Sequence, residues 1–239
     1  MKDNLGDRMK EYYESRTKSL LPRRTYTLIR IDGKAFHTYT RGLERPLDDK
    51  LITDMDETAK YLCENIQGAK FAFVQSDEIS ILLTDFDKLQ TSAWFDGSVQ
   101  KITSISASLA TAKFNELRPN KIALFDSRVF TIPSNIEVEN YFIWRQQDTV
   151  RNSISSVAQS LYSSKELHKV NVSVMQELCF EKGVNWNDFD AKKKRGRLII
   201  KEYYDKEGAT RSRWISTAPP NFTAEREELT KLIPLLDGI

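Results

Sequence analysis

Histidine and cysteine are scarce, with two of each in 239 residues: His37 and His168, Cys63 and Cys179. Two histidines cannot build a multi-histidine zinc site. Two cysteines far apart in apolar helical patterns argue against a disulfide framework and a thiolate metal site. That thiol usage suits a reducing cytoplasm, the expected compartment. Long hydrophobic runs are missing as well. None approaches the ~20 apolar residues of a membrane span, and the start "MKDNLGDRMKEYYESR" lacks the apolar core of a signal peptide. Neither a membrane partner nor export is expected. No sign of charge dominates: 36 basic residues against 34 acidic ones leave +2. Any basic surface must therefore come from local clustering. There are no internal repeats, and no low-complexity tract beyond "KKKRGR" at 192–197.

What is present suffices for one substantial core or two smaller ones, with 40% hydrophobic residues. A charged helix is expected over residues 2–20, followed by the β-branched strand "TYTLIRID", which ends at Asp32 and Gly33. Leu47, Leu51, Met55, Ala59, Leu62 and Ile66 recur at helical spacing between Pro46 and Ile66. "KFAFVQ" and "ISILLT" read as strands joined by the polar "SDE", a hairpin. Ile102, Ile105, Leu109 and Ala112 mark a second helix, and "KIALFDSRVFTI" supplies a fourth strand before Pro133. The order β-α-β-β-α-β predicts an α+β, ferredoxin-like antiparallel sheet with both helices on one face. From Ile136 onward the pattern turns mostly helical, with strand-like "RLIIKEYYD" and "TRSRWIST" around Gly208 and an amphipathic segment carrying Leu229, Leu232, Ile233 and Leu236. A boundary near Pro133 gives an expected division into 1–135, palm-like, and 136–239, a C-terminal region with basic surface.

In such a plan the first and third strands are antiparallel neighbours, so Asp32 and the pair Asp77–Glu78 meet at one rim of the sheet. Two aspartates there can hold two divalent cations about 3.5–4 Å apart, an arrangement that activates an attacking hydroxyl and stabilises a leaving phosphate. Hard oxygen ligands select Mg²⁺. Gly33, lacking a side chain, lets its carbonyl approach a metal or triphosphate. Asp and Gly are also ordinary turn formers, and "IDG" and "SDE" taken singly read equally as turns.

Three separated motifs, "RIDGKAFH" at 30–37, "QSDE" at 75–78 and "WRQQD" at 144–148, resemble the tRNA(His) guanylyltransferase family and its relatives, reverse polymerases that add nucleotides to RNA 5′ ends. The similarity runs in order from about Tyr13 to Gly196. The resemblance implies a polymerase-like palm in which Asp32, the Gly33 carbonyl and Asp77 bind two Mg²⁺ ions. It implies a nucleoside triphosphate held by Asp32, Gly33, Lys34, Ala35, Phe36, His37, Ser76 and Asp77. Glu78 belongs to the catalytic motif in a supporting role. The implied substrates are ATP and GTP, the implied partner is tRNA, and the implied assembly is a homo-oligomer, a tetramer. The implied chemistry is activation of an RNA 5′-monophosphate by ATP or GTP, followed by attack of the incoming nucleotide's 3′-hydroxyl.

Arg145, Asp148 and Asn152 fall on one helix face, which makes Arg145 and Asn152 candidates for nucleotide or RNA phosphate contacts, against the plainer reading of a solvated face. Lys192, Lys193, Lys194, Arg195 and Arg197, with Arg211 and Arg213 beyond, are candidates for neutralising a tRNA backbone. Eukaryotic relatives continue after "WRQ.D" with a His-Ile-Asn-Asn type segment associated with choosing tRNA(His). Here the chain reads "TVRNSISSVAQSLYS", so template-dependent repair of several tRNAs is expected, with a tRNA(His)-specific enzyme as the alternative. A non-catalytic RNA-binding module is the rival of another class, because "KFAFVQS" partly follows an RNA-recognition pattern. That pattern's glycine is missing after Lys70, and Ser76 stands where an aromatic belongs.

Overall fold

The computed structural model describes residues 4–236. In chain order it runs through α1 (Leu5–Tyr12), β1 (Tyr26–Gly33), α2 (Phe36–Tyr39), α3 (Asp49–Asn65), β2 (Ala69–Gln75), β3 (Glu78–Leu83), α4 (Val99–Leu117) and β4 (Phe125–Ile132). It continues through α5 (Asn135–Leu161), α6 (Val172–Glu181), α7 (Ala191–Arg195), β5 (Arg197–Lys206), β6 (Ala209–Thr217) and α8 (Arg226–Thr230). The expected first helix is shorter. Asn4 caps it through its side-chain oxygen, and the chain passes into a 3₁₀ turn at Glu14–Thr17. No residue of α1 is buried, so no packing rewards a longer helix. Residues 2 and 3 lie outside the described residues.

The six strands form one antiparallel sheet in the order β4-β1-β3-β2-β5-β6. Its first four strands are the ferredoxin-like set. The hairpin β5–β6 from the C-terminal region adds to the free edge of β2, pairing Phe71 with Ile200 and Val74 with Arg197. The fold is therefore α+β, as its element order predicts.

Both faces of the sheet are covered, which explains why its strands read as continuous apolar runs rather than as an alternation. Ile29, Ile31, Ala72, Val74, Ile79 and Ile81 face α3 and α4, where they meet Met55, Leu62, Ile102 and Phe114. The alternate residues Tyr26, Leu28, Phe71, Phe73 and Leu82 face Val138, Tyr141 and Phe142 of α5, with Phe222, Leu229 and Ile233 near the C-terminus. Each such buried side chain contributes roughly 1.5–3 kcal/mol. Helix α5 starts where Pro133 ends the strand pairing. Ser134 caps it by accepting the Glu137 N–H at 3.3 Å, in a Ser-x-x-Glu sequence suited to a helix start. The second layer of the sheet is thus a 27-residue helix that spans the rim bearing the acidic motif.

Candidate active site

Strand register assembles the rim. Asp32 lies opposite Glu78 on β3 and opposite Asp126 on β4, and Glu78 in turn pairs with Gln75 on β2. The row Asp126, Asp32, Glu78, Gln75 therefore crosses four strands. Burial raises the pKa of Asp32 first, and the charges of Glu78 and Asp126 raise it further. Asp77 occupies a two-residue turn between β2 and β3, after Ser76, whose φ of 45° is left-handed. The Asp77 carboxyl is pushed up to about 6, chiefly by burial, and by the charges of Asp32 and Glu78 against an opposing Ser76 hydrogen bond. The two aspartates thus share one field, and that field disfavours their charged forms.

The loop after β1 is held from beneath. Phe36 is 5% exposed and stacks on Tyr39 at 4.8 Å between centroids, with Phe114 and Phe125 around it. Its ring lies so close to Gly33 that a Cβ there would sit 2.2 Å from a Phe36 carbon. Gly33 is therefore required for close approach rather than for an unusual φ. The Lys34 N–H donates to the Leu124 carbonyl at 2.8 Å, which ties the loop to the residue before β4. Lys34, Ala35 and His37 are exposed beside the rim, as is Ser76. Phe36 faces inward, so its ring is unavailable to a base.

Glu78 is committed to the protein. Arg145 of α5 grips it with two parallel bonds, Nε to Oε1 at 2.8 Å and Nη2 to Oε2 at 2.7 Å. Gln75 and Ser80 also donate to Oε1, at 3.2 and 3.3 Å. Arg145 is 5% exposed, and Trp144 lies over its guanidinium at 4.4 Å. Against the expectation of a phosphate contact, Arg145 is turned toward the sheet; Asn152 is exposed.

The basic segment is also largely engaged within the chain. Lys192 donates to the Ser216 carbonyl, Lys193 pairs with Asp49 at 2.6 Å and Lys194 donates to the Asn187 carbonyl. Arg197 is 3% exposed and bonds Asp56 at 2.8 Å. This corrects its assignment as a phosphate ligand, because the guanidinium lies beneath the surface. Gly196 allows that entry: with φ at 86°, a Cβ there would meet Phe73 and the Val74 carbonyl within 3 Å. Arg195 is partly buried.

Among the described residues no group of three or more His, Cys, Asp or Glu side chains gathers to hold a metal ion. Asp32 and Asp77 with the Gly33 carbonyl nonetheless fit a hard divalent cation that takes its other ligands from water and substrate. Their oxygens are of the right class, and a cation would offset both the burial that chiefly raises the aspartate pKa values and the carboxylate repulsion that adds to it. Asp126 was not singled out in the sequence. Its place at the head of "FDSRVFTI", beside β1 in this topology, was the available signal.

Comparison with known proteins agrees with this fold. Residues 6–133 match the family model for tRNAHis guanylyltransferase (Thg1). A bacterial tRNA(His) guanylyltransferase (Thg1)-like protein, solved in complex with ATP, superposes with a TM-score of 0.88 at 47% identity, covering 98% of this chain and 100% of that one. Its GTP complex gives a TM-score of 0.86 at the same identity and coverage. The tRNA(His) guanylyltransferase of Eremothecium gossypii is 31% identical over 205 residues, 76% of this chain and 84% of its own.

Proposed function

The chain belongs to the tRNAHis guanylyltransferase family, and from that premise we propose that it rebuilds truncated tRNA 5′ ends, choosing each nucleotide by pairing with the opposite strand. It is a nucleotidyltransferase, and its reaction is the addition of nucleotides to the 5′ end of tRNA with ATP and GTP as substrates. The observation that carries the repair reading lies on α5. Where a tRNA(His)-selective segment would be, Thr149 and Ser153 are buried and bonded inward. Arg151 is tied back to Asp148 at 2.6 Å while staying exposed, as are Asn152, Gln159 and Ser160. None of these outward groups is the histidine or the asparagine pair associated with choosing tRNA(His), and a site without those side chains cannot strongly reject tRNAs of other identity.

Two bond-forming steps follow from the substrates. An oxygen of the RNA 5′-monophosphate attacks the α-phosphorus of ATP and releases pyrophosphate. The 3′-hydroxyl of the incoming nucleotide then attacks the activated 5′ phosphorus and releases the adenylate. Asp32, the Gly33 carbonyl and Asp77 would hold two Mg²⁺ ions, which when bound supply charge neutralisation and polarisation of phosphate oxygens. The protein's own contribution is placement. Gly33 lets the Phe36 ring pack against the backbone and fix the loop from below, and its carbonyl is the group read as facing the metal and triphosphate. Lys34 and His37 stand beside the phosphates, as do Ser76 and Asp77 from the neighbouring turn. Partly buried Arg195 and exposed Asn152, Arg211 and Arg213 are the groups read as touching tRNA phosphates. We also read the protein as a homo-oligomer, a tetramer by resemblance, which light scattering on the eluted protein tests. No helix among the described residues is long and apolar enough to cross a membrane.

The test supplies labelled nucleotides with intact tRNA(His) and with 5′-truncated tRNAs of other identities. Comparable or greater catalytic efficiency on the truncated set is expected. A strong preference for intact tRNA(His) would restore the tRNA(His)-specific reading.

A further inference from the structure

Four polar residues of α5, Tyr141, Arg145, Thr149 and Ser153, are 8%, 5%, 6% and 6% exposed. Spaced by four, they share one slowly drifting stripe of the helix. Three grip the active-site hairpin in succession. Tyr141 Oη lies 2.9 Å from Ser80 Oγ, Arg145 holds both oxygens of Glu78, and Thr149 Oγ1 donates to Gln75 Oε1 at 2.7 Å. Ser153 ends the stripe by donating to the Lys194 carbonyl at 3.2 Å and accepting from Trp186 Nε1 at 3.0 Å. Gln75, Glu78 and Ser80 are the polar side chains that flank the Ser76–Asp77 turn on β2 and β3.

An apolar stripe would bury this face at lower desolvation cost, because removing two charges from water consumes much of what their attraction returns. What polar pairing adds is a single allowed position, since any shift breaks directional bonds. The turn needs such fixing, because Ser76 adopts a left-handed conformation unusual for a residue with a side chain.

We propose that this stripe is a latch that fixes the position of Asp77 in the active site, with Arg145 as a positioning residue acting through Glu78 rather than as a contact to RNA. The proposal rests on the reading of Asp77 as part of the catalytic rim. It assigns "WRQQD" and "QSDE" to one mechanical unit, although 67 residues separate Arg145 from Glu78.

The experiment measures nucleotide addition by the full chain carrying Arg145→Gln, Arg145→Lys, Glu78→Gln, Thr149→Val or the pair Arg145→Gln/Glu78→Gln, together with tRNA affinity. Supporting groups around a reactive centre typically alter activity about 10–100-fold, so Arg145→Gln is expected to lower kcat by that factor. KM and tRNA affinity should stay within about threefold. Lysine should recover part of the loss. The double variant should be no slower than the slower single one, because the two residues act through each other. Unchanged kcat in Arg145→Gln, multiplying effects of Arg145→Gln and Glu78→Gln, or weakened tRNA binding at full kcat would each overturn the latch. If Arg145→Gln does not fold, Arg145→Lys and Thr149→Val carry the test, and normal kcat in both overturns it. Wild-type protein that adds no nucleotide would sink the functional reading alone. Hydrogen exchange across residues 75–79 then decides the latch: faster exchange in the Arg145 variants supports it, and unchanged exchange contradicts it.

Discussion

Asp77 joins an electrostatic cost to a chemical use. Its carboxyl is pushed up to about 6, mainly by burial. A raised carboxyl pKa means that the folded chain binds this proton more tightly than the unfolded one. The resulting stability is fully present below the unfolded value near 4 and is lost as pH rises through about 6. In chelator, wild-type protein is therefore expected to lose on the order of 1–3 kcal/mol between pH 4 and 7 relative to Asp77→Asn. Chemical denaturation of both proteins at the two pH values measures this. The variant should fold, melt higher than wild type at pH 7 and add no nucleotide. Equal pH dependence of the two proteins, or full activity in the variant, would contradict the role given to this carboxylate.

At the scale of elements, the basic segment shows how placement divides similar side chains. Arg197 enters the core beside Gly196 and bonds Asp56, whose other oxygen accepts from Ser216 at 2.6 Å. Arg197→Ala would leave the buried Asp56 charge without its cation, with only the Ser216 hydroxyl as partner, a loss of about 3–5 kcal/mol, with tRNA contacts affected only through folding. Arg195→Ala should leave stability unchanged within about 0.5 kcal/mol and reduce the salt dependence of tRNA binding. Thermal melts and affinity titrations against salt separate the two, and the reverse pattern would refute the assignment. The strands and the helices α3 and α4 were legible because their apolar runs and three-to-four spacing follow from burial alone. The meeting of Asp32 with Asp77 and Glu78 was legible because strand order fixes it. Three features were not legible. Helix α2 depends on Phe36 finding Phe114 and Phe125 far along the chain. The grip of Arg145 on Glu78 was missed because helical spacing shows which residues share a face, but not whether a polar face is covered. The burial of Arg197 needed β5 to pair with β2, and within "KKKRGR" nothing distinguishes the cation that turns inward.

For the whole molecule, the proposed function makes the sheet rim, the loop above Phe36 and the turn at Ser76–Asp77 parts of an enzyme whose selectivity comes from the nucleic acid. The outward face of α5 lacks the histidine and asparagine pair associated with choosing tRNA(His), and in the proposed reading the opposite strand of the acceptor stem supplies the choice of nucleotide. The most direct measurement of this claim uses one 5′-truncated tRNA in four versions that differ only in the base opposite the first missing position, each incubated with all four nucleotides in competition. The account predicts that the incorporated nucleotide changes with that base and is the Watson–Crick partner in each version. Incorporation of guanylate whatever base stands opposite would contradict it.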